Sequence, residues 1–320
     1  MSGKLTVSFF PHIHHKTTTS SIMLDVVIAL VPAYIASILM FGPRAAVVVA
    51  VCVFSCVGFE GIYQKLLKRP VTVTDFSAAI TGLLIAFNLP VTIPLWQAVI
   101  GCFVAIILVK QLYGGIGKNF ANPAVVARVV MFLAFSATMT AWHLPEYTPS
   151  WALLTDATAS PTPLIYLAKG EMEYLPGIWN MFVGIHGGSL GETSALALLL
   201  GCIYLLIRRV ITWHIPATFI ATVAVLTLLS GNLSVDFMLY HMFAGGLFLG
   251  AIFMATDYVT SPQTSKGRII FGVCCGFLTV VIRLFGSYPE GATFAILLMN
   301  ILVPFINKMT LPKPLGGNEV

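Results

Sequence analysis

The chain has 320 residues, 58% of them hydrophobic and only 9% charged, with a formal net charge of +5. A water-soluble domain carries about a quarter charged residues, so this composition excludes a soluble globular protein and places the chain in a bilayer. The basic excess is read through the Lys/Arg asymmetry of membrane-protein loops, and no nucleic-acid partner is expected.

The first twenty residues, MSGKLTVSFFPHIHHKTTTS, are polar and lack the apolar stretch of a cleavable signal peptide. Ten apolar spans are predicted after them, at approximately 22–41, 45–63, 75–94, 96–113, 123–142, 193–208, 213–230, 236–256, 268–286 and 291–307. The expected fold is an all-α polytopic membrane protein. Runs such as NLPVTIPL (88–95) predict that some helices are broken, which is tolerated where protein buries the freed backbone groups.

With the N-terminus in the cytoplasm, the cytoplasmic segments take fourteen Lys/Arg and the external ones keep only Arg44, Lys169 and Arg283. Both termini are therefore expected inside, and the one long connection, about 143–192, outside. LVKQLYGG (108–115) and VVIRLFGS (280–287) close the fourth and ninth spans in a similar way. With five spans per half, that likeness predicts two inverted five-helix repeats, which place binding sites near the midplane between them. The organisation expected is a membrane repeat over 1–142, an external loop over 143–192, and a second repeat over 193–320.

Ionisable groups within spans are functional candidates. Asp25 and Glu60 sit near helix ends, where snorkelling or capping accounts for them as well as function does. Asp75 suits a helix N-terminus, and His241 reads as a structural imidazole. Arg283 either caps the end of the ninth span or binds an anionic group outside. In GGIGKNFANPA (114–124), Asn122 caps the fifth span and Pro123 takes its first turn. That helix start, with Lys118 nearby, could also hold a phosphate or a flavin edge. Six cysteines lie in apolar runs without CxxC spacing and read as small buried hydrophobes; no metal site is expected.

GGSLGETSALALLLG (187–201) carries a glutamate and several hydroxyls where the external loop enters an apolar helix. Ser189 and Glu192 fit a capping box, which leaves Thr193 in the first turn. An esterified phosphate favours a helix N-terminus, small neighbours such as Gly187, Gly188, Gly191 and Ser194, and the aqueous side. Thr193 is expected to meet all three conditions, so it stands both as an ordinary first-turn residue and as an attachment point.

GSLGETSALALLLG, GGIGKNFANPAVVARVV, TDFSAAITGLLIAFNLP, DYVTSPQTSKGRIIFG and YPEGATFAILLMNILVPFIN together resemble the D-subunit family of the Rnf complex, over nearly the whole chain. A close relative is the B subunit of the sodium-pumping NADH:quinone reductase, whose longer N-terminal extension this chain lacks. The resemblance implies an electron-relay subunit of a translocase that moves electrons between ferredoxin and NAD while translocating Na⁺ or H⁺. It implies FMN joined to a threonine by a phosphoester, installed by a flavin transferase. Here that threonine is Thr193, with Ser189, Gly191, Glu192, Ser194, Arg283, Asn122 and Lys118 as surrounding candidates and Ser194 as the fallback acceptor. The usual Ser-Gly-Ala-Thr attachment pattern is replaced by Gly191-Glu192-Thr193. A second, non-covalent flavin (riboflavin) between the repeats is also implied. So are the flavoprotein G subunit and the C subunit as partners, with the prokaryotic inner membrane as location. Trp142, Trp151, Tyr166, Tyr174 and Trp179 give the external loop aromatic surface for docking or for flavin packing. The alternatives are the quinone reductase subunit, or a non-redox inverted-repeat transporter or channel, which would carry no covalent flavin.

Overall fold

A computed structural model describes residues 18–142, 162–192, 194–286 and 290–312. Among them the regular structure is entirely helical. Eleven helical segments account for the apolar runs: α1 (Thr19–Phe41), α2 (Pro43–Leu66), α3 (Ser77–Phe87), α4 (Leu95–Gln111), α5 (Pro123–Ala134), α6 (Ala195–Ile207), α7 (His214–Ser230), α8 (Val235–Phe243), α9 (Leu247–Met254), α10 (Ser265–Phe285) and α11 (Gly291–Thr310). Three short α-helices, Ser136–Met139, Pro163–Lys169 and Ile178–Val183, lie between α5 and α6 among the described residues.

Local chemistry sets the boundaries. Thr18 Oγ1 accepts from Ser21 N to start α1, Gly42 at φ 74° turns the chain, and Pro43 opens α2 at a position that needs no N–H. Asp75 Oδ1 accepts from both Ser77 N (2.9 Å) and Ser77 Oγ (2.6 Å), so its carboxylate sits at the N-terminus of α3 as expected, one residue ahead of the N-cap Phe76.

Each predicted span contains a helix, yet the lengths differ from expectation. By length and apolarity, α1, α2, α10 and α11 can each cross a membrane, and the bent pair α8–α9 raises the number to five. The third span is not a helix over 75–94: α3 is 11 residues long, or about 16 Å, and the chain then leaves helical form. Asn88-Leu89-Pro90 explains the stop, because the residue before proline is driven out of the helical region. The fifth helix ends at Ala134, and the sixth starts at Ala195 rather than at 193. The eighth span is bent by 64° between α8 and α9, with Gly245 at φ 68° in the break.

The segments pack α2 on α3 and α4, α7 on α10, and α10 on α11, while α1 on α6 and α5 on α11 join the two halves. The α1–α6 approach requires Gly201, since a Cβ there would lie 2.2 Å from Ala29 O. The outward residues are large and apolar, Leu39, Phe54, Ile207 and Phe305 among them, which is the surface lipid solvates. The protein is a multi-pass membrane protein.

Candidate functional site

The loop ahead of α6 is built into the interior. Residues 186–192 are buried, and Ser189 is wholly so. Leu190 N donates to Leu89 O (3.0 Å), and Gly191 N to Phe87 O (2.9 Å). Those acceptors lie at the C-terminal end of α3, where a helix leaves carbonyls without intrahelical partners. A Cβ on Gly191 would come within 2.3 Å of Phe87 Cβ, so a side chain there would force the loop off the helix end.

Arg128, from the middle of α5, gathers the surrounding segments. Its Nη1 donates to Asn88 Oδ1 (2.6 Å) and Asn88 O (3.0 Å), and lies 2.7 Å from Glu192 Oε1 in ion-pair contact. Its Nη2 donates to Glu290 Oε2 at the start of α11. Asn88 Nδ2 in turn donates to Leu84 O (2.6 Å) and so closes the last turn of α3. One guanidinium thus ties three remote pieces of chain together: the α3 end, the 189–192 loop and the α11 start. Buried charges persist only when paired and hydrogen-bonded, and Arg128 is 3% exposed. Arg283 is within electrostatic reach of both carboxylates, so two cations balance two anions.

This arrangement corrects the expected capping box. Glu192 N does bond to Ser189 O (3.2 Å), but the Glu192 side chain turns to Arg128 instead of back to the chain. Ser189 Oγ is buried without a hydrogen-bond partner among the described residues. The cap of α6 is Ser194, whose Oγ accepts from Ala197 N (3.2 Å). Thr193 lies outside the described residues. So does Trp151.

Arg283 is a cap, though not for its own helix: Nη1 donates to His241 O and Nη2 to Ala244 O (2.9 Å), carbonyls freed where α8 breaks. It meets the Glu192 neighbourhood at the Gly245-Gly246 break, where a Cβ on Gly246 would sit 2.6 Å from Glu192 Oε1. Ser189, Gly191, Glu192, Ser194 and Arg283 are therefore brought to one region. Asn122 and Lys118 are not part of it. Asn122 caps α5 by accepting from Ala124 N (3.0 Å) and donates to Met254 O (3.1 Å), while Lys118 is exposed on a glycine turn with Gly114, Gly115 and Gly117 at positive φ. Of the loop aromatics, Trp142 is buried, whereas Tyr174 and Trp179 are exposed.

Two basic residues counted among the cytoplasmic segments, Lys110 and Arg128, are buried. Lys110 Nζ lies 2.8 Å from Glu60 Oε1 and donates to Ser77 Oγ (2.6 Å), and Gln111 donates to Glu60 Oε1 (2.7 Å). Glu60 is thus a paired interior charge and not a snorkelling one. Both donors end a π-helical stretch, Val104–Gln111, that re-aims the last turns of α4. Without Lys110, Arg128 and Arg283 the loop charges still divide twelve against two. The sequence reading missed the roles of Arg128, Asn88 and Glu290. An arginine inside VVARVVMFLA was the available signal.

A second candidate region is a cavity between α1 and α3 on one side and α6 and α9 on the other, lined by Ser77, Thr81, Asn119, Asn122 and Asp257. Asn119 Oδ1 is buried there without a partner.

Residues 6–316 match the family model for the NQR2, RnfD, RnfE family. The chain belongs to this family. It is 45% identical, over 99% of its length and 96% of the relative, to the D subunit of the Na⁺-translocating ferredoxin:NAD⁺ oxidoreductase complex of Acetobacterium woodii. It is 40% identical, over 97% of its length and 96% of the relative, to the D subunit of the proton-translocating ferredoxin:NAD⁺ oxidoreductase complex of Clostridium ljungdahlii. A third relative, the D subunit of the ion-translocating oxidoreductase complex of Stutzerimonas stutzeri, is 39% identical over 95% of this chain and 94% of its own. Two relatives this similar are named for different ions, so family membership leaves the ion open.

Proposed function

We propose that this chain is the D subunit of an ion-translocating ferredoxin:NAD⁺ oxidoreductase and that Thr193 carries FMN through a phosphoester. The observation that carries this reading is the anchored loop. Backbone bonds to α3 and the Arg128–Glu192 pair hold residues 189–192 still, directly before Thr193 and the Ser194 cap of α6. A covalent redox group needs such a mount, because electron transfer requires a reproducible position.

The residues present fit the group. Ser189 Oγ is a buried hydroxyl with no partner among the described residues, suited to a phosphoester oxygen. The free N–H groups at the start of α6 favour negative charge. Glu192 is held by Arg128, so its carboxylate is drawn away from an anionic neighbour. Bound FMN would supply the one- and two-electron chemistry that amino-acid side chains lack. The protein's part is to hold the site, keep its interior face dry, and leave an aqueous approach for the flavin transferase.

The cavity between α1–α3 and α6–α9 suits a second, non-covalent flavin such as riboflavin. Its ring edge carries donors and acceptors that match Asn119, whose Oδ1 lacks a partner, together with Asn122 and Ser77. The ten-span inverted-repeat topology, both termini in the cytoplasm and an external Thr193 are part of this proposal, supported by the twelve-to-two division of loop charges. The flavoprotein G subunit and the C subunit are the expected partners, in a prokaryotic inner membrane, with exposed Tyr174 and Trp179 as docking surface.

The deciding experiment is in-gel fluorescence of the denatured protein, expressed with its flavin transferase. A fluorescent band that vanishes in Thr193→Ala and persists in Ser194→Ala supports the assignment. A colourless wild-type band, or fluorescence undiminished in Thr193→Ala, overturns it.

A further inference from the structure

A cleft at the far end of α10 from Arg283 adjoins the polar cavity, with Val210, Ile211, Thr256 and Tyr258 as a shared wall, and its two arginines belong to the cleft alone. It opens where the α6–α7 link meets the α9–α10 link, and its polar lining is Arg209, Thr212, Thr256, Tyr258, Ser261 and Arg268. Two arginines line this cleft, with no carboxylate among the residues that line it. Two acids adjoin these segments, and each has a hydrogen-bond partner of its own. Asp25 accepts from Tyr204 Oη (2.8 Å) and pairs with Arg208 (3.2 Å), and Asp257 Oδ2 accepts from Thr260 Oγ1 (3.0 Å).

The cleft is built, not left over between loops. Arg268 Nε donates to Pro262 O and its Nη1 to Thr212 Oγ1, both at 3.1 Å, which fixes the guanidinium across the mouth. Tyr258 Oη donates to Val210 O and ties the two links together. Arg209 is held in the left-handed region at φ 56°, with its N–H on Leu206 O (3.1 Å). A non-glycine residue in that region is uncommon. Arg209 makes no ion pair among the described residues.

Two like charges kept together without an acid call for an anion, and the planar arginine fork matches phosphate oxygens. What surrounds the cleft says where that phosphate comes from. Ile207 on α6, Trp213 just before α7, and Ile269 and Ile270 on α10 are exposed and adjoin its lining residues in sequence. Trp213 stacks on His214 with ring centroids 4.5 Å apart, and exposed tryptophans are enriched at the bilayer surface. A soluble phosphate has no use for an apolar rim, whereas acyl chains do. Basic pockets between membrane helices are a known form of headgroup site.

We propose that the Arg209–Arg268 cleft binds the phosphate of an anionic phospholipid headgroup, with the acyl chains lying on the α6, α7 and α10 surface. The test uses detergent-purified full-length protein and short-chain phosphatidylglycerol, with short-chain phosphatidylcholine and inorganic phosphate as parallel probes. Bound lipid is counted by native mass spectrometry. Wild type should retain one phosphatidylglycerol that phosphatidylcholine does not replace and millimolar phosphate does not displace. Arg209→Gln, which removes no side-chain hydrogen bond described above, should weaken that retention by about tenfold, and Arg209→Lys should restore part of it. Arg208→Gln, next in sequence but paired to Asp25, should leave retention unchanged. Equal retention by Arg209→Gln and wild type overturns the site. Displacement by inorganic phosphate at equal concentration overturns the lipid as its occupant.

Discussion

Arg128 Nη1 and Glu192 Oε1 stand 2.7 Å apart inside the protein, one on α5 and the other three residues after Ser189 in the loop before α6. The pair is buried on both sides, and Glu290 completes it from α11. Breaking a buried pair from one side leaves an uncompensated charge and costs about 3–5 kcal/mol. Arg128→Gln should therefore lower the melting temperature sharply, because two carboxylates lose their partner. Arg128→Met with Glu192→Gln and Glu290→Gln should recover much of the loss. Melting curves of the three purified proteins check this; equal curves for wild type and Arg128→Gln would sink the anchoring role.

Ser189→Ala separates structural from ligand-binding roles. A buried unpartnered hydroxyl costs about 1–3 kcal/mol, so the alanine variant without flavin should be at least as stable as wild type. If Ser189 Oγ binds the phosphoester, the same variant should show weaker flavin loading. A variant both less stable and fully loaded would contradict the placement of Ser189.

Gly191→Ala introduces a Cβ 2.3 Å from Phe87 Cβ. Overpacking of this kind costs roughly 1–3 kcal/mol, and here it pushes the loop away from the α3 carbonyls. Reduced in-gel fluorescence with Thr193 intact is the expected result, with a smaller loss when Phe87→Leu makes room.

Glu60→Gln leaves the buried Lys110 ammonium with the neutral Ser77 hydroxyl and no counter-ion. The expected outcome is a loss of about 3–5 kcal/mol, seen as poor yield of folded protein and a lowered melting point. Glu60→Gln with Lys110→Met removes both charges and should restore most of it.

Asp257 sits in the α9–α10 link, where burial pushes its carboxyl above the ordinary range against the opposing hydrogen bonds from Thr260 and Val259 N–H. A carboxyl raised in the folded state makes a contribution that is fully present below its unfolded value, about 4, and that fades as pH rises through the higher folded value. Relative to Asp257→Asn, wild type should lose stability across that window on going up in pH. Parallel melting curves of the two proteins at all pH values would refute it.

Much of the helix order was legible in composition. α1, α2, α10 and α11 coincide with long apolar runs because lipid demands about 20 such residues per crossing. The Asp75 carboxylate at the start of α3 and the Asn122 cap were readable for a similar reason, since each bonds within three residues of itself. The capping box at Ser189 and Glu192 failed because that motif takes no account of a distant arginine, and Glu192 prefers a buried cation to its own backbone.

The sequence by itself determined the membrane class, the order of the apolar helical segments, the break at Pro90, and the family, while the bend at Gly245 came from the structure. Those properties depend on neighbours along the chain and on transfer to lipid, which each residue carries with it. Only the tertiary structure decided that Arg128, Asn88, Glu192 and Glu290, far apart in the chain, meet at one guanidinium. Buried charges must find partners wherever the fold brings them, and no spacing in the sequence records that choice.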